Sequence, residues 1–168
     1  MKYLCFLFSA LVLLAMLTAP SVTLANARKD YQRGVAAYEA KNYSETVKWW
    51  RKAAHQGHIV AQFFLGYMYS TGEGAEKDSA EAAKWYRKSA EQGYPDAQFN
   101  LGLIYAEGEG IFKDTVSAHM WWNIAASKGN RNAAKNRDTI EKSMTPEDIS
   151  EATKKAKLCL RSNYKNCE

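Results

Sequence analysis

"AQFFLGYMYSTGEGAEKDSAEAAKWYRKSAEQGY", Ala61–Tyr94, lies over "AQFNLGLIYAEGEGIFKDTVSAHMWWNIAASKGN", Ala97–Asn130, when the chain is shifted by 36 residues. Ala61 meets Ala97, Gln62 meets Gln98, and Leu65-Gly66 meets Leu101-Gly102. Tyr69 meets Tyr105, Gly72-x-Gly74 meets Gly108-x-Gly110, and Asp78 meets Asp114. Ala82, Trp85, Ala90 and Gly93 meet Ala118, Trp121, Ala126 and Gly129. A period in the thirties marks an array of helical hairpins, each too small to bury its apolar face alone.

The same shift reaches backwards. Asn42, Trp49, Ala54 and Gly57 fall one period before Asp78, Trp85, Ala90 and Gly93. Further upstream the register slips: Gly34 precedes Gly66 by 32 residues, so the first repeat has a loop four residues shorter. Forwards, Ala133 alone keeps the pattern. The chain is thus read as about three repeats followed by a divergent C-terminal segment, as terminal repeats usually are.

Each repeat reads as two antiparallel helices. Ala61, Leu65 and Tyr69 recur every four residues and make one apolar stripe. Gly72 and Gly74 stop that helix and supply positive φ in the loop. Asp78 is expected to cap the second helix, with Glu81 as its capping-box partner, and Asn42 with Glu45 repeats the device. Ala82, Trp85 and Ala90 give the second helix its stripe, and the Trp positions read as core. Gly108-x-Gly110 is no phosphate loop. It lacks a preceding strand and a following Lys-Ser/Thr or third glycine, and Glu107 and Glu109 repel phosphate.

The N-terminus has a different character. Lys2 precedes an apolar run from Tyr3 to Leu17, then Pro20 and the small residues of "LANA". That order predicts a secretory signal peptide over residues 1–27, cleaved after Ala27 or alternatively after Ala25. The run is too short to span a bilayer comfortably, so no integral membrane segment is expected after cleavage. Localisation is then exported, either periplasmic or secreted. Cleavage after Ala27 leaves 141 of the 168 residues, enough for one domain. It removes one charge, Lys2, from the formal +5. So mild an excess, without a dense basic patch, argues against a nucleic-acid partner.

Cys159 and Cys167 are the cysteines beyond the leader. In an oxidising compartment a disulfide closing this short loop is expected, against two free thiols on a frayed tail. Before them, "MTPEDI" starts a last helix, with Thr145 as N-cap and Pro146 at its first position. Ile149, Ala152, Ala156 and Leu160 form its expected stripe. Lys154, Lys155, Lys157 and Arg161 lie on other faces and read as solvated rather than as an anionic-membrane site. This helix is expected to cap the open end of the array.

Catalytic chemistry is hard to place. His55 and His58 have helical spacing but no completing ligand, so no metal site is assigned. No serine or cysteine sits in a nucleophile motif. Glu73 and Glu107 are the loosest of carboxylate pairs for a hydrolase acting on envelope material. The chain is therefore not read as an enzyme, and no cofactor is expected.

The series Ala61, Leu65-Gly66, Tyr69, Gly72-x-Gly74, Asp78, Ala82, Trp85, Ala90 and Gly93 resembles the Sel1-like repeat, a relative of the tetratricopeptide repeat. Residues 59–94 and 95–130 match closely, residues 28–58 with the shorter loop, and residues 131–168 form the divergent cap. The resemblance implies an all-α fold: a right-handed α/α superhelical solenoid with first helices on the concave face. It also implies a scaffold for a protein or peptide partner, acting as an envelope scaffold, a host-contact factor or an inhibitory partner of a secreted enzyme. Placing the first helices this way directs Tyr31, Val35, Phe63, Tyr67, Phe99 and Leu103 to the concave surface, off the Ala-Leu-Tyr stripe. Such residues either form a binding surface or pack against each other or the last helix.

Overall fold

A computed structural model of the chain describes residues 24–167. Eight helices occupy these residues. α1 covers 24–39, and then come α2 (Tyr43–His55), α3 (Ile59–Thr71), α4 (Ser79–Ala90), α5 (Pro95–Glu107), α6 (Thr115–Ser127), α7 (Arg131–Ile140) and α8 (Pro146–Arg161). One 3-10 turn, Glu141–Ser143, separates α7 from α8. No described helix is long and apolar enough to cross a membrane. The predicted leader lies outside the described residues, except for its last four positions.

Consecutive helices pack as hairpins stacked into a solenoid, with each helix contacting the next from α2 to α7. Leu65 and Leu101, fully buried on the predicted stripes, contribute about 2 kcal/mol each by leaving water. Trp85 and Trp121 are buried as expected, whereas Trp49 is half-buried under Arg33 and Lys52. Among the described residues no earlier hairpin packs against Trp49, and cations of its own repeat cover the ring. A second aromatic series runs one position later, through Trp50, Tyr86 and Trp122. Each fills the space left by a glycine on the first helix of its repeat. A Cβ on Gly66 would stand 2.9 Å from Tyr86, and one on Gly102 would stand 2.5 Å from Trp122 Nε1. Trp50 crowds Gly34 in the same way.

The loops explain the glycine pairs. Gly72 and Gly108 end α3 and α5 in the left-handed region, at φ +81° and +77°, where an L side chain is strained. Gly74 and Gly110 do something else. A Cβ on Gly74 would collide with the Tyr43 backbone at the start of α2, and one on Gly110 would collide with Ser79 and Ala80 at the start of α4. Each long loop is thus pressed onto the repeat before it.

The N-caps form as expected. Asn42, Asp78 and Thr145 accept from the backbone N–H of Glu45, Glu81 and Asp148. The reciprocal half of the capping boxes does not form. The Asp78 N–H donates to the Tyr69 carbonyl and the Asn42 N–H to the Ala37 carbonyl, so neither needs a carboxylate. Glu81 and Glu45 pair instead with Lys84 and Lys48 one turn on.

The last helix covers the array by folding back along α6 rather than by stacking beyond α7. Its buried stripe is Ala152, Ala156 and Cys159, while Leu160 is exposed, a correction to the stripe expected from sequence. Cys159 and Cys167 form a disulfide that turns the tail inward, and Tyr164 then lies against Gly93 at the end of the second repeat.

Candidate functional site

Four of the six residues expected on the concave surface line one cleft. Tyr31 and Val35 come from α1, Phe63 and Tyr67 from α3, and Trp50 of α2 lies between them. Tyr38, Glu39 and Phe64 complete the lining of a cleft of about 560 Å³. Trp50 is only 3 % exposed and belongs to the core beneath, whereas Tyr38 and Tyr67 are 38 % and 40 % exposed. Gly34 lets the indole lie tight under α1.

The rings form a continuous series. Tyr38 stacks on Trp50 at 5.6 Å, Trp50 on Phe64 at 5.0 Å, and Phe63 meets Phe64 edge-on at 5.1 Å. Phe63 continues to Tyr94 and Tyr86, at 5.1 and 5.8 Å. Such pairs fix ring orientation and add roughly 1 kcal/mol each beyond area burial. At one end Tyr31 stacks on His58 at 4.4 Å. His58 caps α3 by accepting from the Ala61 N–H through Nδ1, which requires the unprotonated ring. Burial, helped by Arg28, holds its pKa below the usual histidine value.

Burial raises the phenols of Tyr31 and Tyr86, the latter to about 12 despite the Ser70 hydroxyl. Tyr94 is raised too, by burial and then by Asp96. Glu39 is the one charged residue in the lining. Burial and then the charge of Glu73 raise the Tyr43 phenol, whose ring tilts against Tyr38 at 5.4 Å. Trp50 Nε1 is buried without a hydrogen-bond partner among the described residues, whereas Trp122 Nε1 donates to the Phe99 carbonyl at 3.1 Å.

Phe99 and Leu103 are not part of this cleft. Both are half-buried and pack with Trp122 and Ala118 of the third repeat and with Ile140 of α7. The position one period after Phe64 is Asn100, so the apolar lining is not repeated there. Sequence reasoning missed Tyr38, Trp50 and Phe64. The recurrence of Trp50, Tyr86 and Trp122 at the repeat period was the available signal for the cleft floor.

Histidines and carboxylates elsewhere are used locally. His55 meets Trp85 edge-on at 5.1 Å, and buried His119 bonds Glu141 through Nε2 at 2.6 Å. Glu107, at the end of α5, is exposed. Among the described residues no group of three or more His, Cys, Asp or Glu is placed to hold a metal ion.

The Sel1 repeat family model matches residues 27–58, 59–94 and 95–130. The chain belongs to the Sel1 repeat family. This Sel1 repeat protein is similar to a protective antigen of uropathogenic Escherichia coli with an SLR fold, at 33 % identity and TM-score 0.73 over 83 % of this chain and 30 % of that one. It is also similar to a Sel1 repeat protein of Oxalobacter formigenes, at 38 % identity and TM-score 0.60 over 64 % of this chain and 44 % of that one. The chain thus spans less than half the length of either structure. Cysteine-rich protein B of Helicobacter pylori shares the fold, at 22 % identity and TM-score 0.52 over 67 % of this chain and 95 % of that one. No curated protein matches this Sel1 repeat protein. Its repeats are of a kind that generally mediates protein–protein interaction.

Proposed function

We propose that this Sel1 repeat protein is an exported, non-enzymatic interaction module that seats a segment of a partner polypeptide in the cleft between α1 and α3. The observation that carries the reading is the cleft itself. It holds six aromatic rings, two of them at least 38 % exposed, above a core that does not need those two for packing. Contiguous apolar surface of this kind is characteristic of binding sites, and a groove between helices suits an extended peptide or a helix. The apolar N-terminal run supports export.

Tyr67→Ala combined with Val35→Glu changes the cleft while sparing its floor. The double variant is expected to lose crosslinking to its partner in the envelope with its helical circular dichroism unchanged. Undiminished crosslinking would remove the cleft from the function. A narrower form of the reading is an inhibitor of one secreted enzyme. It requires a single stoichiometric partner, and recovery of a large assembly instead would count against it.

A further inference from the structure

We infer that the cleft receives a basic side chain, lysine or arginine, flanked by apolar residues of the partner. This inference rests on the cleft being the docking site. Aromatic faces carry negative quadrupole charge and attract cations. Elsewhere the protein uses this chemistry internally. Arg33 lies 4.6 Å from the Trp49 ring, Lys88 lies 4.4 Å from Trp85, and Arg51 and Arg87 lie over Tyr69 and Tyr105. Among the described residues, none of these cation–ring pairs involves a ring of the cleft.

The charges around the cleft select sign and direction. Glu39 lines it, and the charge of Glu73 acts on Tyr43, one ring beyond Tyr38. Arg28 acts at the opposite end, on the histidine stacked against Tyr31. Tyr31 and Glu39 are eight residues apart on α1, about 12 Å along the helix. An anchoring cation therefore belongs at the Tyr38–Glu39 end, with its apolar neighbours over Val35 and Phe63. A partner carboxylate there would face Glu39 across a cleft walled by apolar rings and lacking a donor of opposite charge.

The test uses the mature protein and three short blocked peptides that place lysine, norleucine or glutamate between leucines. Binding is followed by calorimetry and by the indole N–H resonance of Trp50. The lysine peptide should bind about tenfold tighter than the norleucine peptide, and the glutamate peptide weakest. Glu39→Gln should weaken the lysine peptide about threefold and leave the norleucine peptide unchanged. Equal binding of lysine and norleucine peptides overturns the inference while leaving the cleft as a docking site. A lysine preference untouched by Glu39→Gln overturns the role of that carboxylate. Saturable binding of none of the three overturns both the inference and the docking site.

Discussion

Gly102→Ala measures how tightly the hairpins are closed. The new methyl carbon would stand 2.5 Å from Trp122 Nε1 and 2.6 Å from Cδ1. Trp122 is buried and held by its bond to the Phe99 carbonyl, so the ring has no cheap way to retreat. Overpacking a fixed core typically costs about 1–3 kcal/mol. Displacing the indole adds about 1 kcal/mol for the lost hydrogen bond. Against this, alanine is worth roughly 1 kcal/mol more than glycine inside a helix. The net expectation is a loss of about 2 kcal/mol, or roughly 6 °C in Tm for a domain of this size. Thermal unfolding by circular dichroism and calorimetry reads it directly. Trp122→Leu on the same background should recover part of the loss, so that the two changes are strongly non-additive. A Gly102→Ala protein as stable as the parent would refute the close-packing argument. Gly129→Ala is the control: it has open space and a φ of +91°, so it reports backbone strain alone.

Four further outcomes are expected. Removing the disulfide by Cys159→Ser with Cys167→Ser should cost about 2.5 kcal/mol, from the entropy of a loop closed by residues eight apart, read as a lower urea midpoint. His58 has a folded pKa below its unfolded value, so its contribution is complete above the ordinary histidine pKa and is lost as pH falls through the folded one. Stability near pH 5 should therefore drop by about 1 kcal/mol through loss of the α3 cap, and His58→Asn should abolish that pH dependence while keeping a cap, as Asn130 does for α7. At the N-cap of α6, burial disfavours the Asp114 carboxylate but bonds from Ser117 and Val116 outweigh it and hold its pKa low. Asp114→Ala should remove acid sensitivity below the usual carboxylate pKa and cost about 1 kcal/mol at pH 7, read in urea melts across pH. On the proposal that the chain is exported, the cleaved product should begin at Asn26. Ala27 is fully buried, so intact mass should show cleavage after Ala25; a start at Arg28 contradicts this.

The repeat made the fold legible. Identities at one offset located the hairpins, caps and stops, because each helix end needs a particular residue type at a particular place. What it left open was side-chain company. Phe63 and Phe99 are equivalent in the repeat, yet one lines a cleft and the other packs in the third-repeat core, because Phe64 has become Asn100. The misplaced stripe of α8 has a similar origin. Its alternatives, Leu160 and Cys159, are adjacent, and the disulfide draws Cys159 inward. Capping boxes failed where a carbonyl from the preceding helix had already taken the N–H.

The pressing of each long loop onto its predecessor gives the array a polarity of growth. A repeat with the long loop brings its own joint to whatever stands before it, whereas the first hairpin turns in three residues, 40–42, and brings none. A chain in which 59–94 is duplicated in place should gain a hairpin without a new kind of joint and melt as one unit at no lower temperature. The first hairpin copied into the interior would leave its neighbour's second helix uncovered at the N-terminus, and a split or lowered melt would record the missing joint. Lengthening by internal duplication is thus built into the second and third repeats and withheld from the first.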